Sequence, residues 1–119
     1  MANLNNMDSF KKNAEVVELL ELGNGIVQII MKDEEHCNTF SSELIDGLYK
    51  CLDIIAQHND YKVVILTGYG NYFASGGTKE ELIKIHQRKI VFKELDFFRI
   101  LLDCKIPVIA AMLGHGIGG

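Results

Sequence analysis

"KVVILTGYGNYFASGG", residues 62–77, is the stretch on which the fold turns. Its apolar, β-branched opening is short and ends at Gly68, which predicts a buried strand within "YKVVILTG" (61–68). Gly76 and Gly77 then lie at or just beyond the carboxyl end of that strand, where open α/β folds place their ligands. Glycine there lets backbone N–H groups approach a ligand with no Cβ in the way. Thr78 and Glu81 in the following "TKEEL" have the Thr-x-x-Glu spacing of a capping box, so a helix begins near Thr78. A helix start leaves N–H groups unpaired and open to an anion, so the capping and ligand readings are compatible. Lys79 stands out, because a cation in the first turn opposes the helix dipole by a few tenths up to ~1 kcal/mol. Such departures from local rules gather at functional positions; the plainer alternative is a solvated side chain offset by Glu80 and Glu81.

Working outward, "VVELLEL" (16–22) and "GIVQIIMK" (25–32) flank the turn Gly23-Asn24-Gly25 and predict a hairpin. Ser41 or Ser42 can cap a helix that carries Leu44, Leu48, Leu52 and Ile55 at helical spacing, with Gly47 weakening it. A further helical stretch, "VFKELDFFRILLDC" (91–104), sets Phe92, Leu95, Phe98 and Leu102 on one face, and Pro107 marks entry to a last strand. Strand, helix, strand, helix, strand is the order of crossover units with a parallel sheet, so the class is α/β with an initial hairpin.

The 119 residues suffice for one small domain, and 48% hydrophobic with 24% charged content is globular rather than disordered. A net charge of −4 without a Lys/Arg block excludes a nucleic-acid footprint or a polybasic membrane patch. No apolar run approaches a bilayer span, and the polar leader (1–14) lacks the apolar stretch of a signal peptide, so a cytoplasmic protein is expected. Cys37, Cys51 and Cys104 are far apart with no Cys-x-x-Cys pair or zinc-ligand spacing, so no metal site is expected. All three are expected to be reduced, with Cys51 and Cys104 as small core residues.

"GHGIGG", residues 114–119, matches the Gly-x-Gly-x-x-Gly dinucleotide pattern after a strand. The pattern also needs a following helix and an acidic residue about 20 positions on, and neither is present. His115 lies between glycines with no carboxylate or nucleophile partner nearby in sequence, which argues against a general base.

Taken together, "YFASGGTKEEL" and the later "CKIPVIAAMLGHGIGG" resemble the paired signature of the crotonase superfamily, the enoyl-CoA hydratase/isomerase fold. "EEHCNTFSSEL" is similar to the family segment that follows the hairpin, with Asn38, Thr39 and Phe40 at its Asn-Ala-Leu, and "KVVILTGYGNYFASGG" resembles the family's strand and loop. The resemblance covers residues 15–119 and implies the amino-terminal part of a crotonase-like β-β-α spiral. It implies acyl thioesters of coenzyme A or of carrier-protein phosphopantetheine as substrates, with no separate cofactor. It also implies a thioester oxygen held by two backbone N–H groups, those of Gly77 and Gly119. Ala74, Gly76, Thr78 and Asn38 are implied to bind substrate, and trimers or hexamers are the expected assembly.

Thr78 stands where many hydratases of the family have Asp, and Lys79 where they have an apolar residue. "NYFASGGTKEEL" and "LLDCKIPVIAAMLGHGIGG" most resemble the decarboxylases of polyketide β-branching, which convert 3-methylglutaconyl to 3-methylcrotonyl on an acyl carrier protein. That subgroup resemblance puts Lys79 beside the departing carboxylate. An enoyl-CoA hydratase/isomerase is the alternative, and a non-catalytic truncated fragment is the alternative of another class. The sequence reads as the amino-terminal piece of a longer protein, and the isolated 119-residue chain is expected to be inactive and aggregation-prone.

Overall fold

The computed structural model describes residues 16–89 and 98–118. The leader expected over 1–14 lies outside the described residues, as do Phe92, Leu95 and Gly119.

β1 (Val17–Gly23) and β2 (Ile26–Met31) pair antiparallel, with Val17 opposite Met31 and Leu19 opposite Ile29. Gly23, Asn24 and Gly25 all take positive φ in the tight turn, a conformation that glycine and asparagine accept most readily. The chain then enters α1 (Ser42–Ala56). Ser41 is the residue that caps it, its Oγ accepting the Leu44 N–H at 3.3 Å. Leu44, Leu48, Cys51, Leu52 and Ile55 form the buried stripe of α1.

β3 (Val63–Thr67) runs parallel to β2, with Val27 beside Val64 and Ile29 beside Leu66. The period of two sends Val27, Ile29, Met31, Val64 and Leu66 to one face, where α1 covers them. A fully buried Leu contributes about 1.5–3 kcal/mol over an exposed one, so this stripe is the main apolar anchor of the helix. β5 (Val108–Ala111) adds in parallel beyond β3, completing the order β1-β2-β3-β5. Away from this core, Leu22 is 51% exposed and Ile109 55%.

Gly47 was expected to weaken α1, and the structure gives it a steric reason to be there. A Cβ at this position would lie 2.6 Å from Val17 Cγ2 and 2.9 Å from Val17 Cβ, both on a stiff branched side chain. Gly47→Ala should gain about 1 kcal/mol of helix propensity and lose about 1–3 kcal/mol to overpacking. A lower urea midpoint is therefore the expected result, and a raised one would show that Val17 can yield.

Two expectations need correction. "NYFASGG" was read as a loop after the strand and "GHGIGG" as a glycine cluster, but they contain β4 (Tyr72–Ser75) and β6 (His115–Ile117), which pair in parallel as a second sheet. The strands are short and their partners distant in sequence, so no local pattern marks them. Leu102, grouped with Phe98 on one helix face, is 82% exposed. In α3 (Phe98–Leu102) it is Ile100 and Leu101 that pack on the core, while Phe98 meets Phe40 edge to face at 6.3 Å. Cys51 is buried, and burial pushes its thiol up; Cys104 is half-buried against the core.

Candidate active site

The site is assembled where the second sheet meets the end of the first. After β3 the chain reverses through Gly68, where a Cβ would overlap the Tyr72 carbonyl oxygen. Tyr69 and Tyr72 exchange backbone bonds across this reversal, Tyr69 N–H to Tyr72 O at 3.0 Å and Tyr72 N–H to Tyr69 O at 2.8 Å. β4 then carries buried Ala74 to Gly76, which has φ +80°, and on to Gly77. The partner strand is launched from Gly114, at φ +78° and against the Asn71 carbonyl oxygen. Its end brings Gly118 so near Gly76 that a Cβ on Gly118 would lie 3.1 Å from the Gly76 Cα. The two glycine clusters of the sequence are therefore neighbours.

Gly77 is exposed, and its N–H has no acceptor among the described residues. The adjoining Gly76 carbonyl accepts the Phe40 N–H at 2.8 Å, which fixes the peptide plane leading into Gly77. One donor of the expected pair thus stands free at an exposed position. The other, Gly119, lies outside the described residues; Gly118, its neighbour in sequence, is the last residue described.

Thr78 caps α2 (Lys79–His86), its Oγ1 accepting the Glu81 N–H at 3.2 Å. That hydroxyl is turned to the helix, which makes Thr78 a capping residue in this structure. Lys79 is exposed in the first turn and makes no ion pair among the described residues. It borders a groove of about 560 Å³ between the starts of α1 and α2, shared with Thr39, Ser42, Glu43, Thr78 and Lys84. His36 reaches the same groove, with Nδ1 3.1 Å from the Asp33 carboxylate, whose hydrogen bond and charge raise the imidazole above its usual range. A separate cavity of about 340 Å³ lies at the other end of α1, lined largely by Leu52, Ile55, Ile100 and Ile106; neither Gly77 nor Lys79 reaches it.

Asn38 departs from its expected role as a substrate contact. It is fully buried and its carboxamide is engaged with the protein's own backbone, at Met31, Asp33, Tyr72 and Phe73. The spacing of Asn38 from the glycine loop hid this, because the groups it binds lie on separate segments. His115 packs its ring on Tyr72 at 5.4 Å, and no carboxylate bonds to it among the described residues. Nor do three His, Cys, Asp or Glu side chains gather at metal distance among the described residues. No described helix is long and apolar enough to cross a membrane.

Known proteins share this fold. The family model for enoyl-CoA hydratase/isomerase matches residues 21–119. The chain belongs to the enoyl-CoA hydratase/isomerase family. Within that family it is 54% identical to the bacillaene synthase decarboxylase PksI of Bacillus subtilis (strain 168) over 104 residues, 87% of this chain and 42% of PksI. Among solved structures it resembles the ECH2 decarboxylase domain of CurF from Lyngbya majuscula, at TM-score 0.78 and 54% identity over 85% of this chain and 41% of that one. It also resembles a chain from a dehydratase/decarboxylase enzyme couple of polyketide β-branching, at TM-score 0.81 and 52% identity over 88% of this chain and 45% of that one. The crotonase-like fold and the initial hairpin read from the sequence are thus those of its family. The chain spans less than half the length of these relatives.

Proposed function

We propose that the protein carrying this chain decarboxylates a 3-methylglutaconyl thioester on an acyl carrier protein, giving the 3-methylcrotonyl thioester. The observation that carries this reading is the 54% identity to a bacillaene synthase decarboxylase over 104 residues of this chain. The Gly77 N–H, which has no acceptor among the described residues, and Lys79, two residues on, support this reading.

The bond from the γ carbon to the carboxylate breaks, and carbon dioxide leaves. Its electron pair moves through the adjacent double bond onto the thioester oxygen, forming a dienolate. Preorganised N–H donors hold that oxygen as its charge develops, with Gly77 as one and Gly119 as the other. A proton added at the γ carbon restores the thioester and yields the conjugated product. The Lys79 ammonium holds the carboxylate or assists that protonation. The thioester is itself the electron sink, so the reading calls for no cofactor and no metal. A cytoplasmic homo-oligomer, trimeric or hexameric, with acyl carrier protein preferred to acyl-CoA as the partner, completes the proposal.

Intact-mass measurement of the acyl carrier protein after incubation with the full-length protein tests it. Loss of carbon dioxide from the 3-methylglutaconyl form is the expected outcome. Efficient hydration of crotonyl thioesters, with 3-methylglutaconyl carrier protein left untouched, would replace the decarboxylase with a hydratase.

A further inference from the structure

The loop between β2 and α1 is bonded to the active-site strand, and the Asn38 carboxamide makes the largest share of the side-chain bonds. Asn38 Nδ2 donates to the carbonyls of Met31 at 2.9 Å, Phe73 at 3.2 Å and Tyr72 at 3.3 Å, while its Oδ1 accepts the Asp33 N–H at 2.8 Å. Carbonyl oxygens around the nitrogen and an N–H at the oxygen settle the orientation, since the reverse would set oxygen against oxygen. Ser75 and Phe40 continue the attachment. The Ser75 N–H donates to the Asn38 carbonyl at 3.1 Å, Ser75 Oγ donates to the Cys37 carbonyl, and the Phe40 N–H donates to the Gly76 carbonyl at 2.8 Å.

These bonds fall at an irregularity in the pairing of β4. The pairing of β4 with β6 shifts between Tyr72 and Ala74, leaving Phe73 out of register with any β6 residue. The carbonyls of Tyr72 and Phe73 are the ones that Asn38 holds. Asn38 also sits at φ +58°, a left-handed conformation that asparagine adopts several-fold more often than most residues. Its backbone tolerance and its paired donors and acceptor both suit this position.

We infer that Asn38 is a positioning residue of the oxyanion hole. It fixes the course of β4 and so aims the Gly77 N–H, and it does not touch substrate. The inference rests on the oxyanion reading of Gly77 given above, and predicts that loss of the clamp lowers the chemical step more than binding.

The experiment uses the full-length protein and a carbonyl-labelled 3-methylglutaconyl pantetheine in which a methylene replaces the thioester sulfur. Isotope-edited infrared spectra of the bound probe report how strongly the hole polarises the carbonyl. Asn38→Gly keeps the left-handed backbone without adding a buried charge, and Asn38→Asp keeps the shape while removing the donors. Displacing a catalytic group by about 1 Å can lower turnover about 10²-fold, so kcat should fall by at least ~10-fold while KM stays within about threefold. The infrared shift should shrink in parallel. Leu48→Ala, which loosens the same core without touching the clamp, should leave the kcat of the folded enzyme and the infrared shift unchanged.

A folded Asn38 variant with the wild-type infrared shift and kcat would overturn the inference while leaving the oxyanion reading intact. Absence of any shift in the unsubstituted protein would overturn both. Should neither variant fold, the unsubstituted protein decides by hydrogen exchange: bound probe should slow exchange of the Asn38 carboxamide protons, and unchanged exchange would overturn the inference.

Discussion

Replacing Gly77 with proline in the full-length protein should reduce turnover by about 10²–10³, the loss expected when one oxyanion donor is removed. The neighbouring geometry supplies a control. A Cβ at Gly77 would lie 3.6 Å from Leu82 Cδ2, an ordinary contact, so Gly77→Ala fits the fold and keeps its N–H. Alanine should therefore retain most of the turnover that proline abolishes. Circular dichroism and a cooperative melt would establish that both variants fold. A folded proline variant with normal turnover would show that Gly77 is not a donor, and equal losses in both variants would point to side-chain crowding.

Lys79→Ala separates the decarboxylase from a hydratase at a different atom. If the ammonium serves the departing carboxylate, release of carbon dioxide should slow by about 10² or more, the lower end of general acid–base contributions. Binding of the 3-methylcrotonyl thioester, which lacks that carboxylate, should change little. If Lys79 is only a solvated first-turn residue, its removal should leave the rate alone and stabilise α2 by a few tenths of a kcal/mol, because the dipole contact is unfavourable. Stopped assays of carbon dioxide release, with binding measured by calorimetry, distinguish the two outcomes.

The parts of the molecule that were legible in the sequence are those whose evidence is local. The hairpin was marked by Gly23-Asn24-Gly25, α1 by its leucine spacing after Ser41, and α2 by Thr78 and Glu81. The second sheet was not legible, because β4 and β6 are short and their pairing partners lie about forty residues apart in sequence. Gly47 looked like a flaw in a helix until Val17 was seen against it. Asn38 was expected at the substrate because the family resemblance implied it, and asparagine can serve a ligand or a backbone equally well. Only the surrounding carbonyls decide, and they come from β2 and β4. Lys79 was conspicuous in sequence as a cation against a dipole, yet the groove beside it depends on the start of α1, which no spacing near Lys79 reveals.

The pairing of Tyr72 with His115 also bears on the order in which the chain becomes competent. The β1–β2 hairpin closes a short loop and can form early, whereas β4 must wait for a partner that is translated much later. The core beneath α1 can consolidate without β6, since none of its residues comes from that strand. Main-chain donors gathered by a pairing so distant in sequence would make activity a late-arriving property. Spectroscopic recovery of helix and sheet during refolding should then run ahead of the return of turnover.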